Sequence, residues 1–493
     1  MNRNGSRLSS KALQDKSLVS WLPIMCILAI ASGLYAYKIE AEGMWLDELT
    51  SLEDIQDGDG LPPQNLFRPL YYVLLKGWFH FGSSDAWLRG MSVIFAVMTI
   101  FLLYRLGERL LGRGQALTAA TLMALSPLFI NHAQEVRMYT LSTCMTLAGT
   151  LFLANGLLSE NSRKPSHASL LGWCSFRLLA ILTVPLNITL LFADVVAVGL
   201  RFRHQRGALL RFGAWLGVLL VVWSPCIFSV IQTTAPDAPY SLHHIGRVPP
   251  GIDDAIRIFK FLTVWPFAVQ TNAIAALFYK AFTLLLIGLI SLALLRKHQS
   301  QSLLWIASWF FLPLIPIFAF SYVSTPIWVI RYLLFVSPYL FLLLAAALGQ
   351  LWQQWRPAAV LIGLVYLLMV SGGLVRYYSV QDRPDYKFIV ETIEQLEKPG
   401  DVIVWSHFYK KALPHYYQGP SEVIYNPTRD IDSAADIEAW LNNFPETPSR
   451  IWLVLNGKAK NHESIKEQIE SMFTVKAEFQ YDQGSKVLFL SDL

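Results

Sequence analysis

Apolar residues in this chain fall in long blocks rather than in strict alternation. LVSWLPIMCILAIASGLYAY (18–37), TLLLIGLISLALL (283–295) and AAVLIGLVYLLMVSGGL (358–374) are almost free of charge. Each, with its flanks, approaches the roughly 20 residues that cross a bilayer as a helix. Blocks of this kind predict about 11 spans, centred near residues 28, 96, 122, 148, 178, 194, 220, 284, 311, 340 and 366. The fifth and sixth, on either side of Pro185 and Asn187, are short. Between the first two spans, NLFRPLYYVLLKGWFHFG (65–82) is apolar but carries Arg68 and Lys76, which suits a partly inserted helix with Pro69 in its first turn. From about Asp382 the pattern changes. DVIVW (401–405), RIWLVL (450–455) and KVLFLSDL (486–493) read as strands, and DYKFIVETIEQLE (385–397) and SIKEQIESMF (464–473) have helical spacing. PGD (399–401) marks a helix-to-strand turn. The expected organisation is a polytopic α-helical membrane domain over 1–381, with a loop at 39–85, then a small soluble α/β domain over 382–493.

Composition agrees. Hydrophobic residues make up 54% of the chain and charged ones 15%, with a mean hydropathy of +0.40, which excludes an ordinary soluble protein. The net charge of +5 is less informative than where the charges lie. Arg and Lys recur in alternate short connections: Arg3, Arg7, Lys11 and Lys16; Arg105, Arg109 and Arg113; Arg163 and Lys164; Arg201, Arg203, Arg206 and Arg211; Arg296 and Lys297; Arg356. The connections between these are poorer in bases, and the first holds Glu40, Glu42, Asp47, Glu48, Glu53, Asp54, Asp57 and Asp59. A cytoplasmic amino terminus follows, with the acidic loop and the carboxyl-terminal domain on the other side. The first apolar block is too long, and lacks the small-residue pattern, for a cleaved signal peptide. Cys26, Cys144, Cys174 and Cys226 all lie in apolar runs and suggest neither disulfides nor a metal set. A bacterial inner membrane is the expected location, with the bilayer and its lipids, not nucleic acid, as surroundings and partners.

Chemistry concentrates in the poorly basic connections. In GMWLDELTSLEDI (43–55), Asp47 and Glu48 are adjacent. On a helix they would diverge by roughly 100°, so they can take separate roles, one aimed at a substrate hydroxyl and the other holding an Arg, a hydroxyl or a metal. The alternative is a solvated acidic loop. Two acids lack a third ligand for a divalent cation, which leaves a metal open. Trp45 beside them either anchors the loop or stacks on a sugar face. Tyr71 and Tyr72 are placed at headgroup level, where an aromatic belt is the plain alternative. In LSPLFINHAQEVRMYTL (125–141), Pro127 breaks a helix and leaves Asn131, His132, Gln134, Glu135, Arg137 and Tyr139 near the membrane edge. If the next helix has already begun there, Glu135 and Tyr139 share a face. An Arg137 drawn into the bilayer needs an anion, either a phosphate or one of the loop acids, whereas a polar surface loop would need none. Arg331, in WVIRYLLFVSPYL (328–340), either snorkels or holds a phosphate beside Tyr332. The stretch from Gln232 to Lys260, with His243, His244, Arg247, Asp253 and Asp254, either covers a site or simply connects two spans.

Taken in order, WLDE (45–48), RPLYYVLL (68–75), WLRGMSVIF (87–95), YRLGERLLG (104–112), LSP with QEVRMY (125–139) and RYLLFVSPYL (331–340) resemble the GT-C membrane glycosyltransferases of family 39. That family includes protein O-mannosyltransferases and the aminoarabinose transferase acting on lipid A. The resemblance spans the first 380 or so residues and departs at Arg68 and Pro69, where many relatives have His-Pro-Pro. It implies a polyprenyl-phosphate sugar donor and a lipid, glycan or protein acceptor on the non-cytoplasmic face. It further implies Asp47 as the base with Glu48 assisting, and Arg137, Arg331 and Tyr139 on the donor phosphate; Arg68, Tyr71, Tyr72, Glu135 and Tyr332 are further candidates for binding the donor phosphate or substrate. Single displacement with inversion, moving a hexosyl or pentosyl group, is the expected reaction. A transporter or flippase of lipid-linked sugars is the rival. It is disfavoured because the acids crowd one loop and few ionisable residues fall at the span centres, where transport sites usually lie.

Overall fold

A computed structural model describes the chain outside residues 1–4, 57–59, 63–64, 159–164, 235–247, 265–272, 297–299, 324–325, 381–382, 384–385, 407–411, 426–449, 457–466, 468–472, 482–484 and 493, and side chains also outside 5–19, 228–234, 406, 456, 485–486 and 492. It divides into two compact units, one formed by Met1–Tyr37 and Asp54–Arg376, the other by Lys38–Glu53 and Tyr377–Leu493.

The helices in chain order are α1 (Gly5–Ala36), α2 (Leu46–Gln56), α3 (Pro69–Phe79), α4 (Asp85–Leu110), α5 (Arg113–Ala124), α6 (Pro127–Ala133), α7 (Tyr139–Leu157), α8 (His167–Thr183), α9 (Leu190–Phe202), α10 (Arg206–Thr234), α11 (Ile252–Thr263), α12 (Ala273–Leu294), α13 (Gln301–Val323), α14 (Ser337–Gln354), α15 (Arg356–Ser379), α16 (Tyr386–Leu396) and α17 (Ala412–Tyr416). Among the described residues, eight helices are long and apolar enough to cross a membrane, or nine if α5 and α6, bent by 64°, count as one span; 20–36 and α8 are shorter apolar helices. Every span centre expected from the sequence falls inside one of these helices. The protein is an integral membrane protein, and the apolar side chains it leaves exposed on α10, α12 and α15 (Val221, Leu277 and Leu368 among them) are those a bilayer would cover.

Local chemistry sets the breaks. Pro69 and Pro127 each sit in a helix's first turn, where a missing N–H costs nothing. Ser84 and Ser166 cap α4 and α8 by accepting from Trp87 N at 3.3 Å and Ser169 N at 3.1 Å. Gly112 turns the chain between α4 and α5 with φ of +94°, a conformation that disfavours any side chain. In the first unit α7 is the central helix, packed on α4 and α8. At Gly172 of α8 a side chain would overlap the ring of Phe152 on α7, so only glycine permits this approach.

The second unit carries a five-stranded mixed sheet of β1 (Val402–Ser406), β2 (Glu422–Tyr425), β3 (Arg450–Asn456), β4 (Phe473–Gln480) and β5 (Ser485–Asp492), in the order β2-β1-β3-β5-β4. β1 pairs parallel with β2 and β3, whereas β5 pairs antiparallel with β3 and β4. Val402, Val404, Ile451, Leu453, Leu455, Phe473, Leu488 and Leu490 form its core. Three strands and helix α16 match the sequence expectation, and Gly400 occupies the PGD turn at φ of +93°. The expected helix over 464–473 lies outside the described residues except at Glu467, which is helical, and Phe473, which instead begins β4.

Candidate active site

Asp47 and Glu48 lie in the first turn of α2, where the helix dipole favours acids. The helix starts because Trp45 O accepts from Glu48 N at 3.0 Å and Leu49 N at 3.1 Å, while Glu48 Oε2 reaches back to Trp45 N at 3.2 Å. Adjacent in sequence, the two carboxylates have different surroundings. Glu48 is fully buried and meets Arg383 at 3.2 Å, and the same guanidinium lies 3.3 Å from Glu42. Asp47 is half-buried, and its carbonyl accepts from Ser51 Oγ at 2.9 Å. Arg383, whose contact sequence reading did not find, stands 335 residues from Glu48.

In the first unit, residues 131–139 form a second constellation. The expectation that the helix has already begun at Glu135 does not hold, because α6 ends at Ala133 and α7 starts only at Tyr139. Residues 134–138 therefore form a tight link, and the polar-surface alternative fails because His132, Gln134, Glu135, Arg137 and Tyr139 are all buried. Hydrogen bonds fix the link. Gln134 Nε2 donates to the carbonyls of Tyr35 and Tyr37 at 2.8 Å each, and Ser92 Oγ donates to Glu135 O at 2.5 Å. The Glu135 carboxylate takes Asn131 Nδ2 at 2.9 Å and His132 Nδ1 at 2.8 Å. Rings and guanidiniums gather beside it: Tyr139 lies 4.8 Å from His132 and 6.1 Å from Tyr332, Arg137 Cζ stands 5.9 Å over Tyr139, and Arg331 Cζ stands 5.5 Å over Tyr332. Arg331 and Tyr332 come from a 3₁₀ turn, Ile330–Val336, leading into α14. The structure thus brings Glu135, Arg137, Tyr139, Arg331 and Tyr332 together, with His132 added.

Arg68, Tyr71 and Tyr72 stand at the start of α3. Arg68 Nε donates to Asn65 Oδ1 at 3.1 Å, Asn65 Nδ2 donates to Asp54 Oδ2 at 2.7 Å, and Arg68 Cζ lies 5.6 Å over the Tyr72 ring. Tyr71 and Tyr72, 5.4 Å apart edge to face, are buried in the protein, which speaks against a lipid-facing aromatic belt. Asp253 and Asp254 lie in the first turn of α11, where Asp254 Oδ2 accepts from Gly251 N at 2.9 Å; His243, His244 and Arg247 lie outside the described residues. Among the described residues no three His, Cys, Asp or Glu side chains form a metal-binding group, and all four cysteines are free thiols.

The few ionisable residues at the span centres include one pair that the sequence did not single out. Arg177 and Asp194, at the centres of two expected spans, form a fully buried ion pair at 2.7 Å. Asp194 also accepts from Trp173 Nε1 at 2.8 Å and Trp309 Nε1 at 3.0 Å; Arg177 also donates to Thr146 O and Thr150 Oγ1, each at 2.8 Å. Thr150 in turn bonds Tyr339 OH. Five helices are stitched by this network, and its charges are saturated within the bundle. The signal in sequence was Trp173 and Arg177 four apart on one face of α8.

The chain has the GT-C fold. Residues 69–230 match the family model of dolichyl-phosphate-mannose-protein mannosyltransferases. ArnT from Cupriavidus metallidurans bound to undecaprenyl phosphate is similar in structure with a TM-score of 0.59 and 15% identity, over 95% of this chain and 98% of that one. Its apo state gives 0.60 at 15% identity, over 96% and 98%. The archaeal oligosaccharyltransferase AglB from Archaeoglobus fulgidus, in complex with an inhibitory peptide and a dolichol-phosphate, gives 0.52 at 12% identity, over 94% of this chain and 74% of that one. No curated protein matches the chain by sequence.

Proposed function

We propose that the chain is an inverting glycosyltransferase that moves a sugar from a polyprenyl-phosphate donor to a hydroxyl of a lipid, glycan or protein on the non-cytoplasmic face of a bacterial inner membrane. The observation that carries this reading is the cluster in which buried Arg137 and Tyr139 stand beside half-buried Arg331 and Tyr332. Two guanidiniums gathered about one pair of tyrosine rings among membrane helices concentrate positive charge where charge-assisted hydrogen bonds to a phosphate are strong. A phosphate at the head of a long hydrocarbon lipid is an anion delivered from the bilayer. The family match over 69–230 and the polyprenyl phosphates bound in the similar structures support the same donor class.

Asp47 takes the proton of the acceptor hydroxyl. The acceptor oxygen bonds to the anomeric carbon while the bond from that carbon to the phosphate oxygen breaks. The electron pair leaves with polyprenyl phosphate, whose added negative charge Arg137 and Arg331 stabilise. A positioned base contributes typically about 10² to 10⁴ in rate, and preorganised cations contribute on a similar scale. Glu135 holds His132 and Asn131 beside Tyr139 and so fixes the wall of the phosphate site. Arg68, Tyr71 and Tyr72 contribute to substrate binding. The transporter reading finds little support in the span centres, because the Arg177–Asp194 pair is already saturated.

Transfer from radiolabelled polyprenyl-phosphate sugars by membranes bearing wild type, Arg137→Gln or Arg331→Gln tests the assignment. Each variant is expected to lose roughly 10²-fold or more. Wild-type rates in both variants, at equal abundance, reject it.

A further inference from the structure

Segment Lys38–Glu53 belongs to the same compact unit as Tyr377–Leu493, although more than 300 residues separate them in the chain. Four contacts hold it there. Lys38 Nζ donates to Tyr378 O at 2.8 Å, and Met44 N donates to Tyr416 OH at 2.6 Å. Gly43 lies so close to Lys387 that an added Cβ would sit 3.1 Å from the Lys387 Cβ and 3.5 Å from Tyr416 Oη. Arg383 spans Glu42 at 3.3 Å and Glu48 at 3.2 Å. Residues from the carboxyl-terminal part of the unit therefore hold the approach to α2 at Lys38, Glu42, Gly43 and Met44, and its first turn at Glu48.

We propose that the carboxyl-terminal domain is the scaffold of the acidic pair, and that Arg383 is a positioning residue acting through Glu48. Glu48 is fully buried, and its Oε2 serves both Arg383 and the amide of Trp45, the residue whose carbonyl starts α2. Removing the guanidinium leaves Glu42 and Glu48, two like charges, without the cation they share. Their repulsion acts on the first turn of α2, which also carries Asp47. Displacing a reacting group by about 1 Å can cost on the order of 10²-fold in rate. The domain would then contribute geometry to the reaction while touching no substrate itself. This inference rests on Asp47 as the base, yet its structural half can be tested without activity.

Arg383→Gln, Arg383→Lys, Glu48→Gln and the double variant Arg383→Gln/Glu48→Gln would be compared in the full chain, in lipid nanodiscs. The readouts are kcat and donor KM in sugar transfer, and hydrogen–deuterium exchange over residues 44–53. Arg383→Gln is expected to lower kcat by about 30- to 100-fold with donor KM within about threefold, and to speed exchange at the Glu48 and Leu49 amides. Arg383→Lys should recover to within about tenfold of wild type, because it restores the charge without the two-pronged geometry. The double variant should be no worse than the poorer single variant, since both changes break one contact. An Arg383→Gln enzyme with wild-type kcat and exchange overturns the proposal, as does a double loss equal to the product of the two single losses. If Arg383→Gln does not accumulate, Arg383→Lys and Glu48→Gln decide: both at wild-type kcat and exchange would overturn it. If wild type transfers no sugar while exchange still responds to Arg383→Gln, the functional reading falls and the scaffold stands.

Discussion

Asp194→Asn replaces the acceptor of the buried network by an isosteric amide. Asp194 accepts from Arg177 Nε at 2.7 Å, Arg177 Nη2 at 2.9 Å, Trp173 Nε1 at 2.8 Å and Trp309 Nε1 at 3.0 Å. An asparagine offers one carbonyl oxygen to these donors and turns its NH₂ toward the rest. Arg177, with none of its surface exposed, then keeps Thr146 O and Thr150 Oγ1 but no anion. Stripping one partner from a buried pair costs about 3–5 kcal/mol, and a stranded indole N–H adds about 1–3 kcal/mol. A loss of about 4–6 kcal/mol is expected after partial relaxation. Restoring neutrality with Arg177→Met/Asp194→Asn should recover at least about 2 kcal/mol, because replacing both charges removes the stranded one. Unfolding in bicelles under controlled denaturant would read all three chains. An Asp194→Asn loss below about 1 kcal/mol, or a double variant less stable than Asp194→Asn, would refute the view that the pair is a saturated structural stitch.

Glu135→Gln keeps the shape of the link but puts an amide where His132 Nδ1 and Asn131 Nδ2 now donate; transfer should fall by about 10- to 100-fold, with donor KM rising in steady-state assays. Gly172→Val drives two methyl groups into the Phe152 ring, and thermal melting should show a loss of at least about 2 kcal/mol. Leu453→Ala empties the centre of the sheet's core and should cost about 2–5 kcal/mol, read as faster hydrogen exchange confined to the second unit.

The elements most legible in the sequence were those set by local pattern. Spans follow from unbroken apolar runs, the bend before α6 from Pro127, and the starts of α3 and β1 from Pro69 and the PGD turn. Strands β1, β3 and β5 were legible because they are continuously apolar, as suits strands buried on both faces. β2 is four residues long, and β4 interleaves Lys476 and Glu478 with half-exposed apolar positions, so neither stood out. In the candidate site, Glu135, Arg137, Tyr139, Arg331 and Tyr332 could be picked out as charged or phenolic groups at the ends of apolar runs. Their partners could not. Arg383 meets Glu48, and Asp194 meets Trp309, only through tertiary packing, which no local period encodes.

The most direct test of the central claim is sugar transfer from a panel of radiolabelled polyprenyl-phosphate donors by membranes containing wild type or Asp47→Asn, with the anomeric configuration of the product determined. The account predicts label in an acceptor with inverted configuration for wild type, and at least about 100-fold less with Asp47→Asn. A folded, equally abundant Asp47→Asn protein that transfers as fast as wild type, or a product with retained configuration, would contradict it.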